Sequence, residues 1–233
     1  MGAELYLRYL RSDGGTIVDI FEQFSAPTRS SGAPTQVSPD QVIHRLHKWD
    51  DGSLLDLVPS RLELAWTLKN PTEKAQLLPQ FLSKVASNYD LVLIDCAPTE
   101  SILSTAAYRS SRFVVVPVRP EFLATIGLPL LERSLGEHRL RYQDQELTLA
   151  GVVFNGGKYP APPEQQTSRS DVRRLAGDYG WKVFESEAWY SDSYPAGSRS
   201  GSPIFNTKYA RDYVKKDFAL VGKEFCQAVG FYA

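Results

Sequence analysis

The chain has 233 residues, of which 42% are hydrophobic and 23% charged, the balance of an ordinary soluble globular protein of one large or two small domains. A formal net charge of -1 leaves no global field to draw nucleic acid or a membrane surface, so any such surface has to be a local patch. No run approaches the ~18 apolar residues of a membrane span, Glu4, Arg8 and Arg11 interrupt any secretory leader, and the two widely separated cysteines, Cys96 and Cys226, read as reduced thiols. The expected location is the cytoplasm.

From the start, Leu5, Tyr6, Leu7, Tyr9 and Leu10 are apolar and Asp13-Gly14-Gly15 is a stop. Ile17, Ile20, Phe21 and Phe24 recur at helical spacing. Residues 25–39 are rich in Ser, Pro, Thr and Gly and predict an exposed loop. Ser38-Pro39-Asp40 opens a short helix that should carry Val42, Ile43, Leu46 and Trp49 on one side. Leu54 to Val58 is a short strand ending at Pro59. Residues 62–87 are helix-rich, with Pro79 placed to kink or split them.

Three apolar strands follow, over 91–94, 113–118 and 147–154. Each is a continuous rather than an alternating run, as expected of strands covered on both faces. Helices are expected over 101–108, 122–135 and 170–179, a fourth strand near 181–184, and a last helix over 209–229 within a C-terminal segment, 205–233. Alternating strand and helix predicts an α/β fold: a mainly parallel sheet with helices on both faces, in a single domain.

The stretch Tyr89-Asp90-Leu91-Val92-Leu93-Ile94-Asp95-Cys96-Ala97-Pro98 puts an acid at the tip of an apolar strand. In an open parallel sheet, ligands bind beyond the carboxyl ends of the strands. A carboxylate there can hold magnesium through water beside nucleotide phosphates, and Pro98 with Thr99-Glu100-Ser101 forms a turn able to sense the terminal phosphate. The same carboxylate can also simply cap the next helix.

This stretch, with Phe113 to Val118, Arg119-Pro120-Glu121-Phe122-Leu123-Ala124 and Gly127-Leu128, resembles the ParA/MinD family of deviant Walker P-loop ATPases, the ParA branch in particular. Residues 54–62, Gly151 to Asn155 and Ser193-Tyr194-Pro195 to Ile204 carry weaker likenesses. The resemblance implies a P-loop NTPase-like fold, with Asp95 as the catalytic, magnesium-organising acid and Ala97 to Ser101 as the switch. It also implies that Asn155, Tyr194 and Pro195 join Ala97 and Pro98 around the nucleotide. ATP with magnesium would close a homodimer, the dimer would bind nonspecific DNA, and a ParB-like or other activating protein would stimulate hydrolysis.

The chain departs from the family at its start. The family opens with a strand, a glycine-rich loop carrying two lysines, a helix and a second strand, and none of these occurs here. Such a loop needs Gly for converging N–H groups, Lys for charge and Ser or Thr for magnesium. The stretch Gly151 to Tyr159 lacks that spacing and hydroxyl, and Pro160 follows where a helix should begin, so it reads as an ordinary turn. The missing strand belongs between the strands at 91 and 113, and each buried polar group left unsatisfied there costs roughly 1–3 kcal/mol. Three readings stand: a truncated or mis-started ATPase; direct pairing of strands 91 and 113 in a nucleotide-free pseudo-ATPase that serves as an interaction module; or a strand supplied from elsewhere.

Arg169, Arg173 and Arg174 cluster on one helix, and Lys208, Lys215 and Lys216 near or on the last. Such patches hold DNA phosphates without reading sequence, or are simply solvated faces; the resemblance favours DNA. Val214, Phe218, Val221 and Phe225 form a stripe expected to pack on the sheet, not on a membrane. His44-x-x-His47 has helical spacing for a metal pair but no third ligand nearby.

Overall fold

A computed structural model describes residues 14–24, 36–68, 74–97 and 99–231. They gather into two compact units, divided between Ser111 and Arg112.

The N-terminal unit begins with α1 (Ile17–Glu22). Thr16 caps it: its hydroxyl accepts from the Val18 N–H at 3.2 Å, while Asp19 accepts from the Thr16 N–H at 2.7 Å. Ile20 and Phe21 enter a core shared with Val42, Leu77, Leu78, Phe81, Val85 and Ala106. Glu22, at the end of α1, accepts from Thr67 Oγ1 and from the buried Lys74 ammonium, both at 2.7 Å. Residues 25–35 of the predicted loop over 25–39, and the N-terminal apolar stretch, lie outside the described residues.

The helix expected to run to Trp49 is only one turn, α2 (Pro39–Val42). Residues 44–48 instead form β1 (His44–Lys48), antiparallel to β2 (Leu54–Leu57). Gly52 adopts φ +88° in the turn that joins them. Asp50-Asp51-Gly52 is a hairpin signal, and pairing to β2 outweighed the helical spacing of Leu46 and Trp49. His44 and His47 therefore stand on a strand. His44 Nε2 meets the Gly15 carbonyl at 2.8 Å and His47 packs edge-on against Trp49.

The helix-rich stretch resolves into α3 (Leu64–Thr67) and α4 (Leu77–Val85). Pro79 lies in the first turn of α4, where a missing N–H costs nothing, so it neither kinks nor splits the helix. Tyr89 donates to Asp56 of β2 at 2.8 Å. Beyond it the expected strand over 91–94 does not form: residues 91–97 enter no ladder. Leu91, Val92 and Leu93 are 40%, 42% and 72% exposed, and only Ile94 leans on the core. Helix α5 (Ile102–Ser110) follows, capped by Ser101.

The C-terminal unit is a parallel sheet in the order β3 (Phe113–Val118), β4 (Thr148–Gly157), β5 (Ala188–Trp189). Helix α6 (Phe122–Arg141) links β3 to β4, and α7 (Pro163–Asp178) links β4 to β5. β3 pairs along its length with β4, from Phe113 opposite Thr148 to Val118 opposite Phe154. Val152 and Phe154 are fully buried, with Val118, Leu128 and Val172 around them. The strand expected at 181–184 is reduced to a single bridge, Val183 to Val152, and the ladder resumes at 188–189. Direct pairing of strands 91 and 113, one of the three readings, has no ladder among the described residues, where β3 pairs with β4.

Helix α8 (Ser193–Ser200) follows β5, and α9 (Asp212–Ala228) closes the unit. Val214 is buried with Ile204 and Ala210, as the stripe predicted, although Phe218 is 36% exposed. No described helix is long and apolar enough to cross a membrane.

Two measurements test this arrangement. Amide exchange over 91–97 should be fast and that over 150–154 slow, because only the latter backbone is laddered and buried. Leu93→Asp should shift stability by no more than about 0.5 kcal/mol in urea titrations, whereas Phe154→Ala should cost about 3–5 kcal/mol.

Candidate functional site

Asp95 is exposed in the N-terminal unit, on the unladdered stretch that follows Tyr89. The Thr99 N–H donates to the Ala97 carbonyl at 2.8 Å, a tight turn just beyond it. Pro98 lies outside the described residues. Cys96, read from sequence as a reduced thiol, is free and exposed. Its titration is nonetheless pushed up by partial desolvation, reinforced by the neighbouring Asp95 charge. Among the described residues no group of three His, Cys, Asp or Glu side chains is arranged to hold a metal.

The carboxyl ends of β3, β4 and β5 form the ligand-side edge of the C-terminal unit. Asn155 is exposed there, its backbone opposite Ala188 of β5. Gly156 is the odd residue between two ladder pairs and needs its φ of +74° to be so. Gly157 has a different reason to be glycine: a Cβ would overlap the Arg169 guanidinium and crowd Pro120. The glycine-rich turn is thus filled by the protein's own arginine.

Arg169, expected to face DNA, is 7% exposed. Its Nε and Nη2 donate to the Glu187 carboxylate at 3.0 and 2.8 Å, and Nη1 donates to the Gln165 carbonyl at 3.2 Å. Its guanidinium lies 5.2 Å from the Trp189 ring and 5.5 Å from that of Phe154. The residue closes the sheet edge and is not displayed to solvent. Neither Glu187 nor Trp189 carried a motif, so nothing in the sequence marked this pair.

The other cations of α7 are also engaged. Arg173 lies 5.2 Å over Phe154 and 4.0 Å from Glu187; Arg174 reaches Asp171 at 3.7 Å and Asp178 at 4.0 Å. Lys182 meets Glu224 of α9 at 3.4 Å. Glu224 also accepts from the Ser186 and Glu185 N–H groups at 3.0 and 3.2 Å. Burial alone would raise its titration, but these donors hold it below the usual carboxylate range. Lys208 and Lys216 are exposed and Lys215 half-buried. Tyr194 rests against Phe218 with its hydroxyl buried and unpartnered among the described residues, while Pro195 is exposed on α8.

The fold is that of P-loop NTPases. A family model described as an AAA domain matches residues 35–148. An uncharacterised protein of Mycobacterium tuberculosis is 30% identical over 153 residues, 64% of this chain and 46% of its own. The chromosome-partitioning ATPase Soj of Treponema pallidum is 30% identical over 130 residues, 54% of this chain and 49% of its own. Among solved structures, apo McdA of Cyanothece superposes with a TM-score of 0.67 at 15% identity, covering 91% of this chain and 78% of that one. A plasmid partition protein of Borrelia burgdorferi gives 0.59 at 18% identity, over 96% and 78%. In sequence and in fold, the chain matches the ParA/MinD family of P-loop ATPases. The matches span about half the length of these curated relatives.

Removing one half of the buried pair should be costly. Arg169→Ala should lose about 3–5 kcal/mol in denaturant titrations, since it strands the Glu187 charge, and pairing it with Glu187→Leu should recover much of that. For Glu224 the lowered titration means stability present above the ordinary carboxylate range and lost as pH falls through the folded-state value. Glu224→Gln should therefore cost about 1 kcal/mol at neutral pH, and the gap in Tm to the native chain should close in strong acid.

Proposed function

We propose that this chain is a ParA-like partition or cargo-positioning protein, built on the scaffold of an ATP-dependent dimer that binds nonspecific DNA in the cytoplasm and answers to a ParB-like or other activating partner. The observation that carries this reading is the match through residues 35–148, which includes Asp95 and the turn at Ala97. Asp95 is the residue assigned to magnesium through water, and Asn155, Tyr194 and Pro195 are those assigned to the nucleotide. The relatives' names supply the DNA and partition roles, chromosome-partitioning ATPase among them.

The residues in hand do not fit a triphosphate on their own. Residues 151–159 are the glycine-rich candidate, and Arg169 fills the space beside Gly157. ATP chemistry at Asp95 therefore requires a phosphate loop supplied from outside these 233 residues. The same observation favours a second reading: a nucleotide-free scaffold that works as an interaction module.

Calorimetry with ATP and magnesium separates the two. The chain of residues 1–233 should bind ATP more weakly than about millimolar and show no hydrolysis that Asp95→Ala removes. Submillimolar binding, or Asp95-dependent turnover, would mean that a phosphate site survives and that the phosphate-loop argument is wrong.

A further inference from the structure

The C-terminal unit carries an exposed aromatic ledge with no role in that reading. Tyr159, just after β4, is 67% exposed. Its ring is not loose: it lies 5.2 Å from Trp189, edge to face, and 5.7 Å from Tyr213 of α9. Trp189 is backed in turn by the Arg169 guanidinium, and Arg169 by Phe154. Tyr159 is thus the outermost member of an ordered stack that runs into the core, with one side of its ring turned to water.

Tyr209 supplies a second exposed ring. It is 85% exposed, and its φ of +64° makes it the sole non-glycine residue with a left-handed backbone among those described. A bulky side chain pays strain for that conformation, which glycine would adopt freely. The ring is largely turned to solvent, with the Lys208 ammonium 5.0 Å from it. Strain held at an exposed aromatic points to a use for the ring.

The charges beside these rings differ from those on α7. Arg169, Arg173 and Arg174 all have carboxylate neighbours, as does Lys182 beyond the helix. Lys158, beside Tyr159, and Lys208 and Arg211, on either side of Tyr209, are exposed, and no ion pair holds any of them among the described residues. Of the nearby acids, Asp192 is occupied by the Tyr190 hydroxyl at 2.5 Å, and Asp212 lies in the first turn of α9. Cations placed next to exposed rings suit a polyanion whose bases are free to stack. A duplex keeps its base faces covered; a single strand does not.

We propose that Tyr159, which touches Tyr213 in the first turn of α9, and Tyr209, just before that turn, form with Lys158, Lys208 and Arg211 a binding ledge for single-stranded nucleic acid, the rings stacking on unpaired bases and the cations meeting the phosphates. The proposal rests on the reading that the chain acts on nucleic acid, and it names the form of nucleic acid that this edge selects.

Fluorescence anisotropy on the full chain, with and without ATP and magnesium, tests it. The probes are a labelled oligothymidylate and a labelled duplex of equal length. The native chain should bind the oligothymidylate more tightly. Tyr159→Ala and Tyr209→Gly should each weaken that binding about tenfold and leave duplex affinity alone. Tyr209→Gly relieves backbone strain, so its Tm should hold or rise, which separates loss of the ring from loss of the fold. Lys158→Ala should weaken both probes and flatten their salt dependence. Duplex binding with no preference for the single strand, or tyrosine variants that bind oligothymidylate like the native chain, would overturn the ledge and leave the DNA reading standing. Binding of neither probe would overturn both.

Discussion

A β-strand is stable only when its backbone N–H and C=O groups have partners, and in this chain one ladder carries most of that requirement. β3 and β4 pair in parallel from Phe113 opposite Thr148 to Val118 opposite Phe154. Their side chains, with Leu128 of α6 and Val172 of α7, make the core of the C-terminal unit. The carboxyl ends of these strands set where Asn155, Gly157 and Lys158 emerge. Everything at the ligand-side edge of that unit takes its position from this register.

The contrast with residues 91–94 shows the same constraint from the other side. Leu-Val-Leu-Ile is as good a strand sequence as Phe113–Val118, yet it enters no ladder and leaves Leu93 72% exposed. Propensity extends a backbone but cannot provide the neighbour it must bond to. In the N-terminal unit the order comes instead from helix packing around Phe21 and Phe81 and from the Glu22–Lys74 pair. Asp95 consequently sits on a backbone unsupported by any sheet.

Within the C-terminal unit, one arginine accounts for several features together. Arg169 explains why position 157 is glycine, why Glu187 tolerates burial and why Trp189 is held where Tyr159 can rest on it. A buried pair of this kind adds little net stability but penalises any arrangement in which only one partner is present. It also removes one charge from the basic cluster of α7, whose remaining cations are partly offset by Glu187, Asp171 and Asp178.

Much of this was legible in the residues. The β3, β4, α1, α5, α6 and α9 segments follow from local apolar runs and helical spacing, and the family likeness follows from the string around Asp95, because those signals are encoded in consecutive residues. The β1–β2 hairpin was missed because helical spacing in 42–49 competed with the Asp-Asp-Gly turn, and cross-strand pairing, which is not local, settled it. The Arg169–Glu187 pair joins residues 18 apart in sequence, and Tyr159 meets Trp189 and Tyr213 from β5 and α9. No periodicity records such contacts. Which strands exist as candidates is a local property of the chain; which of them pair, and which charges are left facing water, depends on what tertiary packing brings alongside.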